Sequence, residues 1–224
     1  MQRALVTGAS SGIGREIAKR LETRGYDVTL TGRHLEELEA TAAAMTSAQF
    51  VLADLSTAQG RKALTDAVPS VDLLVNAAGF GKWGPFEASD VSDAAAMIEV
   101  NCTAPMELSR AYLPGMRAAG SGAILNIASG ASFRSDPLAV VYYATKAFLL
   151  SMSESLAESL RGTDVRVVAF CPGGFASGFQ QVAGFPPGDF SHLPSAVDMA
   201  DLALAALDEG LPIVLHERFV KLSS

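Results

Sequence analysis

Seven short runs of aliphatic and β-branched residues, at 4–7, 28–31, 50–52, 73–76, 123–127, 165–170 and 213–215, alternate with longer stretches whose apolar residues recur at helical spacing. Those stretches lie at 12–24, 35–45, 57–67, 92–117, 142–160 and 195–207. A strand that reaches the next strand only after a helix cannot pair with it through a tight hairpin. It must cross over and lie parallel. The alternation therefore predicts an α/β chain with a mostly parallel, seven-stranded, doubly wound sheet carrying helices on both faces. The balance of 49% hydrophobic against 18% charged residues suits a sheet buried on both sides. With 224 residues, no internal repeat and no linker, the expectation is one domain spanning 1–224.

Charge and cysteine usage exclude several classes. Seventeen Lys and Arg against twenty-four Asp and Glu leave a net charge of −7, which argues against a nucleic-acid partner, because that affinity rests on neutralising phosphates. Cys102 and Cys171 lie far apart without metal spacing, and His34, His192 and His216 form no cluster, so no metal site is expected. The chain enters a strand directly from "MQRALVTGAS", with no leader, and no apolar run approaches the ~18 residues of a membrane span. A soluble, cytoplasmic protein with reduced thiols is expected. One segment breaks the rhythm: residues 173–194 are rich in Gly, Pro and Phe, and Phe175, Phe179, Phe185 and Phe190 suggest a lid closing on something apolar. Pro186-Pro187 forbids a long helix there.

The turn after the first strand supports two readings. Gly8-Ala9-Ser10-Ser11-Gly12 fits the G-x-S-x-G turn that exposes a nucleophilic serine, and Asp198, Asp201 or Asp208 followed by His216 would complete a serine-hydrolase order. Yet a first strand has no upstream segment to supply the second oxyanion N–H. Read instead as Gly8, Gly12 and Gly14 between a strand and a helix, the same residues form a backbone cradle whose free N–H groups and helix dipole favour a phosphate. The spacing is G-x-x-x-G-x-G rather than G-x-G-x-x-G, so the loop gains weight only with partners.

Those partners run in order through the chain. Thr7-Gly8-Ala9-Ser10-Ser11-Gly12-Ile13-Gly14 matches T-G-x-x-x-G-x-G, and Asn76-Ala77-Ala78-Gly79 is similar to N-N-A-G with Ala in place of the second Asn. Asn101 follows Val100, Ser129 ends the strand-like Ile124–Ser129 run, Tyr142 and Lys146 make Y-x-x-x-K, and Pro172-Gly173 with Ser177 is similar to P-G-x-x-x-T. Together they resemble the short-chain dehydrogenase/reductase family over nearly the whole chain. The run from Gly79 to Phe86 narrows the likeness to a branch whose physiological substrates are mostly unassigned.

The resemblance implies a Rossmann-like domain performing hydride transfer between a nicotinamide cofactor and a carbonyl or alcohol carbon. Tyr142 would be the acid/base, Lys146 would tune it and hold the nicotinamide ribose, Ser129 would hold the substrate oxygen, and Asn101 would support a water-mediated proton path. Tyr143 is left as a structural neighbour. The chemistry agrees with the spacing, because residues four apart share a helix face and a nearby ammonium lowers a phenol's pKa. Gly8, Ser10, Ser11, Gly12, Ile13 and Gly14 would bind the pyrophosphate, Asp54 and Leu55 would flank adenine, and Ala78, Gly79, Pro172 and Gly173 would let backbone approach the cofactor. Asn76 would either join them or stabilise the sheet edge. Gly32 stands where an acidic group would take the ribose 2′-OH, and Arg33 can pair with a 2′-phosphate, so NADP(H) is expected over NAD(H).

The substrate is expected to be a small, largely apolar carbonyl or alcohol, with Trp83 and Phe133 near the same mouth. Members pair through helices equivalent to 92–117 and 142–160, which implies a homodimer or homotetramer. Leu149, Met152, Leu156 and Leu160 form an apolar stripe on the second helix that serves either an interface or the core. Ser224 follows the last strand closely, so no contact built from a longer tail is expected. A dinucleotide-binding regulatory protein without turnover is the alternative from another class, and the intact Asn101, Ser129, Tyr142 and Lys146 speak against it.

Overall fold

The computed structural model describes residues 1–185 and 188–215. Its seven strands are β1 (Arg3–Thr7), β2 (Asp27–Gly32), β3 (Gln49–Leu52), β4 (Leu73–Asn76), β5 (Gly122–Ile127), β6 (Val165–Cys171) and β7 (Ile213–Leu215). They form one sheet in the order β3-β2-β1-β4-β5-β6-β7, every pair parallel. The intervening helices are α1 (Gly12–Thr23), α2 (Leu35–Ala43), α3 (Ala58–Ala67), α4 (Val91–Ile98), α5 (Ala104–Ala119), α6 (Val140–Ser159), a short α7 (Phe179–Val182) and α8 (Ala196–Glu209). This is the Rossmann-like doubly wound arrangement that the alternation implies.

Period-two alternation along the strands divides the core into two layers. Val6, Leu30, Val75, Leu125 and Phe170 face one side, where Ile13, Ile17 and Leu21 of α1 and Met199, Ala203 and Leu204 of α8 cover them. Leu5, Leu74 and Ile124 face the other side and meet Leu64 of α3 and Leu108, Tyr112 and Met116 of α5. The chain reverses its direction of winding between β1, which pairs with β2, and β4, which it also pairs with. At such a switch the loops leaving the strand ends part and open a crevice.

The helix expected at 92–117 is interrupted. A π turn, Glu99–Thr103, separates α4 from α5. Pro105 has no N–H to give the carbonyl of Asn101 and its ring crowds that carbonyl, so the regular ladder cannot run through this point. The segment expected as a loop contains α7, and its two ends are pinned by a parallel bridge between Ala176 and Ser195. Ser195 and Asp198 then form a reciprocal capping box that starts α8. The stripe on α6 resolves as core: Leu149 and Leu160 are buried, and Met152 and Leu156 pack against buried clusters.

Candidate active site

A cavity of about 680 Å³ opens at the carboxyl ends of the strands around that switch. Its first wall is the turn from β1 into α1. Gly8 has φ +66° and a Cβ there would sit 2.7 Å from Ala78 Cα, while a Cβ on Gly14 would fall 2.4 Å from the Gly8 carbonyl oxygen. Only glycine permits this fold of the backbone. Thr7 locks the turn to the neighbouring strand end: its Oγ1 accepts the N–H groups of Ala77 and Ala78, both at 3.0 Å. Ser11 begins α1 without a side-chain cap. The first-turn N–H groups thus face the cavity beside Ser10, Ser11, Gly12 and Ile13, a cradle that fits an anion such as a pyrophosphate.

A second wall carries Arg33, Asp54 and Leu55. The Arg33 guanidinium lies 5.9 Å from the centre of the Phe80 ring, and its Nε donates to His34 Nε2 at 3.2 Å. Burial pushes the Asp54 carboxyl up, but hydrogen bonds from the Ser56 hydroxyl and backbone, with Arg33 nearby, outweigh it and hold the group below its usual value. Leu55 is fixed by a buried arginine: Arg61 donates to its carbonyl at 2.9 Å and pairs with Glu99 and Glu107, each at 2.8 Å.

Tyr142 and Lys146 rise from α6 on the third wall, facing Ser129 at the end of β5, with Ala78, Gly79, Pro172 and Gly173 around them. Both side chains are buried. Lys146 Nζ donates to the Ile127 carbonyl at 2.9 Å and stands 5.9 Å from the centre of the Tyr142 ring. Burial pushes the Tyr142 hydroxyl up to about 12, opposed by its hydrogen bond with Ser129. Burial also pulls the Lys146 ammonium down to about 8, with the Cys171 and Cys102 thiols acting the other way. At Tyr142 burial outweighs the opposing hydrogen bond, and the phenol stays protonated near neutrality.

The two asparagines lie behind this wall, not on it. Asn101, in the π turn, donates from Nδ2 to the Phe80 carbonyl at 2.9 Å and to Thr145 Oγ1 at 3.0 Å, and its Oδ1 accepts the Phe80 N–H at 3.1 Å. Thr145 in turn donates to the Tyr142 carbonyl at 2.7 Å. Asn76 donates to Asn126 Oδ1 at 2.8 Å, which continues through Ser153 into α6. This is the sheet-stabilising alternative for Asn76. Its own Oδ1 is buried without a partner.

Phe175, Phe179, Phe185 and Phe190 all line the cavity, as does Trp83, whose ring centre is 4.2 Å from that of Phe185. Phe133 does not reach it and is 51% exposed, a departure from the expectation; it closes a short 3₁₀ turn whose N-terminal residues, Gly130 and Ala131, are the buried ones. Tyr143 is likewise more than a neighbour: it is 8% exposed, packs edge-on to Trp83 and lines the same cavity with Arg134 and Asp136. Helical spacing alone gave no sign of this, because the loop before α6 brings Asp136 back over the helix start. Thr7 was legible in its motif, whereas nothing in the sequence marked Arg61 or Thr145.

The acids of the hydrolase reading are engaged elsewhere. Asp198 caps α8, Asp201 pairs with Arg20, and Asp208 pairs with Arg24; none lines the cavity. His216 lies outside the described residues. Among the described residues no group of His, Cys, Asp and Glu could hold a metal, and no helix is long and apolar enough to cross a membrane.

Comparison with known proteins places this geometry. A family model described as short chain dehydrogenase matches residues 2–184. An uncharacterized oxidoreductase of Staphylococcus epidermidis is 35% identical over 175 residues, 76% of each chain. A short-chain dehydrogenase from Sphingobium yanoikuyae, solved in complex with NADPH, superposes with a TM-score of 0.89 at 29% identity, over 96% of this chain and 87% of that one. A bulky-bulky ketone specific alcohol dehydrogenase from Comamonas testosteroni superposes at 0.85 with 26% identity, over 99% and 90%. With the glycine turn, Ser129, Tyr142 and Lys146 gathered in one cavity, the chain belongs to the short-chain dehydrogenase family of oxidoreductases.

Proposed function

We propose that the chain is an NADP(H)-dependent oxidoreductase that interconverts a carbonyl and an alcohol on a small, largely apolar substrate. The observation that supports this reading is that the Gly8–Gly14 turn and Ser129, Tyr142 and Lys146 line one and the same cavity. Gly8, Ser10, Ser11, Gly12, Ile13 and Gly14 would hold the pyrophosphate, Asp54 and Leu55 the adenine, Arg33 the 2′-phosphate, and Lys146, Ala78, Gly79, Pro172 and Gly173 the nicotinamide end. Held by these residues, a reduced nicotinamide would supply the hydride for the carbonyl carbon. Ser129 holds the carbonyl oxygen as negative charge develops, and the Tyr142 hydroxyl gives that oxygen its proton. A phenol kept protonated by burial suits the reductive direction. Asn101 acts by positioning, since it fixes both Phe80 and the helix turn that carries Tyr142. Asn76 sets the strand end beneath them.

Residues 1–224 act as one catalytic unit, with 173–194 as a lid that excludes water once the substrate is in place. Exposed Ile98, Met106 and Phe148 on α4, α5 and α6 support assembly as a homodimer or homotetramer. A cytoplasmic setting agrees with two free, buried cysteines. The test is to follow absorbance of the reduced nicotinamide while screening apolar ketones and small charged keto acids with NADPH and NADH. Turnover preferring NADPH and apolar ketones is expected. Consistent preference for charged keto acids would overturn the substrate assignment, and equal affinity for both cofactors would overturn the NADP assignment.

A further inference from the structure

The cavity is aromatic on most of its substrate side, yet one charged and polar group stands at its rim. The Tyr143 hydroxyl lies 3.5 Å from Asp136 Oδ2, and Arg134 interacts with the same hydroxyl. Asp136 is held by two local hydrogen bonds: its Oδ1 accepts the Leu138 N–H at 2.8 Å, and its carbonyl accepts the Ala139 N–H at 3.2 Å. Oδ2 is thereby presented to the phenol. Tyr143 is anchored by its ring, whose centre is 6.0 Å from those of both Trp83 and Tyr142. All three polar residues line the cavity, beside Trp83 and Tyr142.

We infer that Tyr143, Asp136 and Arg134 form a second polar contact for the substrate, selecting aromatic carbonyl compounds that carry an uncharged hydroxyl remote from the carbonyl. This rests on the oxidoreductase reading above. The aromatic body follows from the walls: the rings of Trp83, Phe179, Phe185 and Tyr142 cluster on the cavity lining and suit an aromatic ligand. The remote group follows from charge. One guanidinium and one carboxylate sum to zero, so a carboxylate drawn to Arg134 is repelled by Asp136, an ammonium drawn to Asp136 is repelled by Arg134, and neither charge gains overall. A hydroxyl can donate to the carboxylate and accept from the guanidinium together. A group that served only to fasten the loop would not discriminate among substrates.

Three matched aryl ketones test this: one with a remote hydroxyl, its deoxy analogue and its carboxylate analogue. Trp83, the chain's single tryptophan, lies on the cavity wall and reports binding by fluorescence apart from turnover. The native protein should favour the hydroxyl compound over both others by at least about tenfold in kcat/KM, through KM, and in the fluorescence titration. Tyr143→Phe and Asp136→Asn, each checked for native unfolding temperature, should reduce that preference to less than about threefold. Turnover of all three ketones without preference, or a preference that survives both substitutions, overturns the inference and leaves the oxidoreductase reading standing. Binding preference lost in the variants, with no turnover of any ketone, supports the contact and overturns the carbonyl assignment. Neither binding nor turnover overturns both.

Discussion

At Tyr142 one oxygen atom separates the proposed proton donor from a packing residue. Tyr142→Phe keeps the ring beside Phe179 and Trp83, so folding and NADPH binding should persist while turnover falls by roughly 10²–10⁴-fold, the usual scale of lost general acid–base catalysis. Steady-state rates beside a cofactor titration check both halves of this expectation. Arg33→Ala should weaken NADPH by about tenfold or more and leave NADH within about threefold, because only the first carries a phosphate to pair with. Parallel binding titrations decide it. The residues that touch the cavity were largely legible, because glycines, Ser129, Tyr142 and Lys146 are needed by type and spacing. Tyr143, Asp136 and Arg134 were not, since their meeting depends on the path of an irregular loop. At Tyr142 the proximity of an ammonium was visible in the sequence, whereas the extent of burial that raises the phenol was not.

At the level of elements, all seven strands lie where the β-branched runs place them, and the helices follow the apolar periodicity. The π turn escaped because one extra residue in a helical turn leaves both flanking stretches amphipathic; the readable signal was Pro105, four residues beyond Asn101. The turn has a function in positioning, since it aims Asn101 at Phe80 and Thr145 instead of along the helix surface. Asn101→Ala strands buried polar partners and should cost about 1–3 kcal/mol. Urea denaturation should show a lower midpoint with an unchanged slope, together with reduced kcat. The short α7 escaped for a different reason: a four-residue helix has no periodicity to read.

For the whole molecule, the burial of Lys146 couples the site to stability. Its ammonium titrates at about 8 in the folded chain against a usual 10.5, so between those values the unfolded chain binds more protons and stability rises with pH. Below about 8 the cost of the buried charge is fully present in the native protein. The Tyr142 hydroxyl, at about 12 against a usual 10.0, works the other way above pH 10, where stability falls as pH rises. Lys146→Met isolates the first effect because Tyr142 remains in both proteins. Its stability advantage over the native chain should stay flat across roughly pH 6 to 7.5 and shrink from about 8 to 10. Thermal unfolding of both proteins across that range shows the slope, and parallel curves would contradict it. The proton-donor role of Tyr142 is tested by setting Tyr142→Phe beside Ser10→Ala, with NADPH consumption and serine-directed esterase activity followed in both. Loss of ketone-dependent NADPH consumption in Tyr142→Phe, with NADPH still bound, and retention of most of it in Ser10→Ala is the predicted result. Near-normal reduction in Tyr142→Phe, or an esterase activity abolished by Ser10→Ala, would contradict the account.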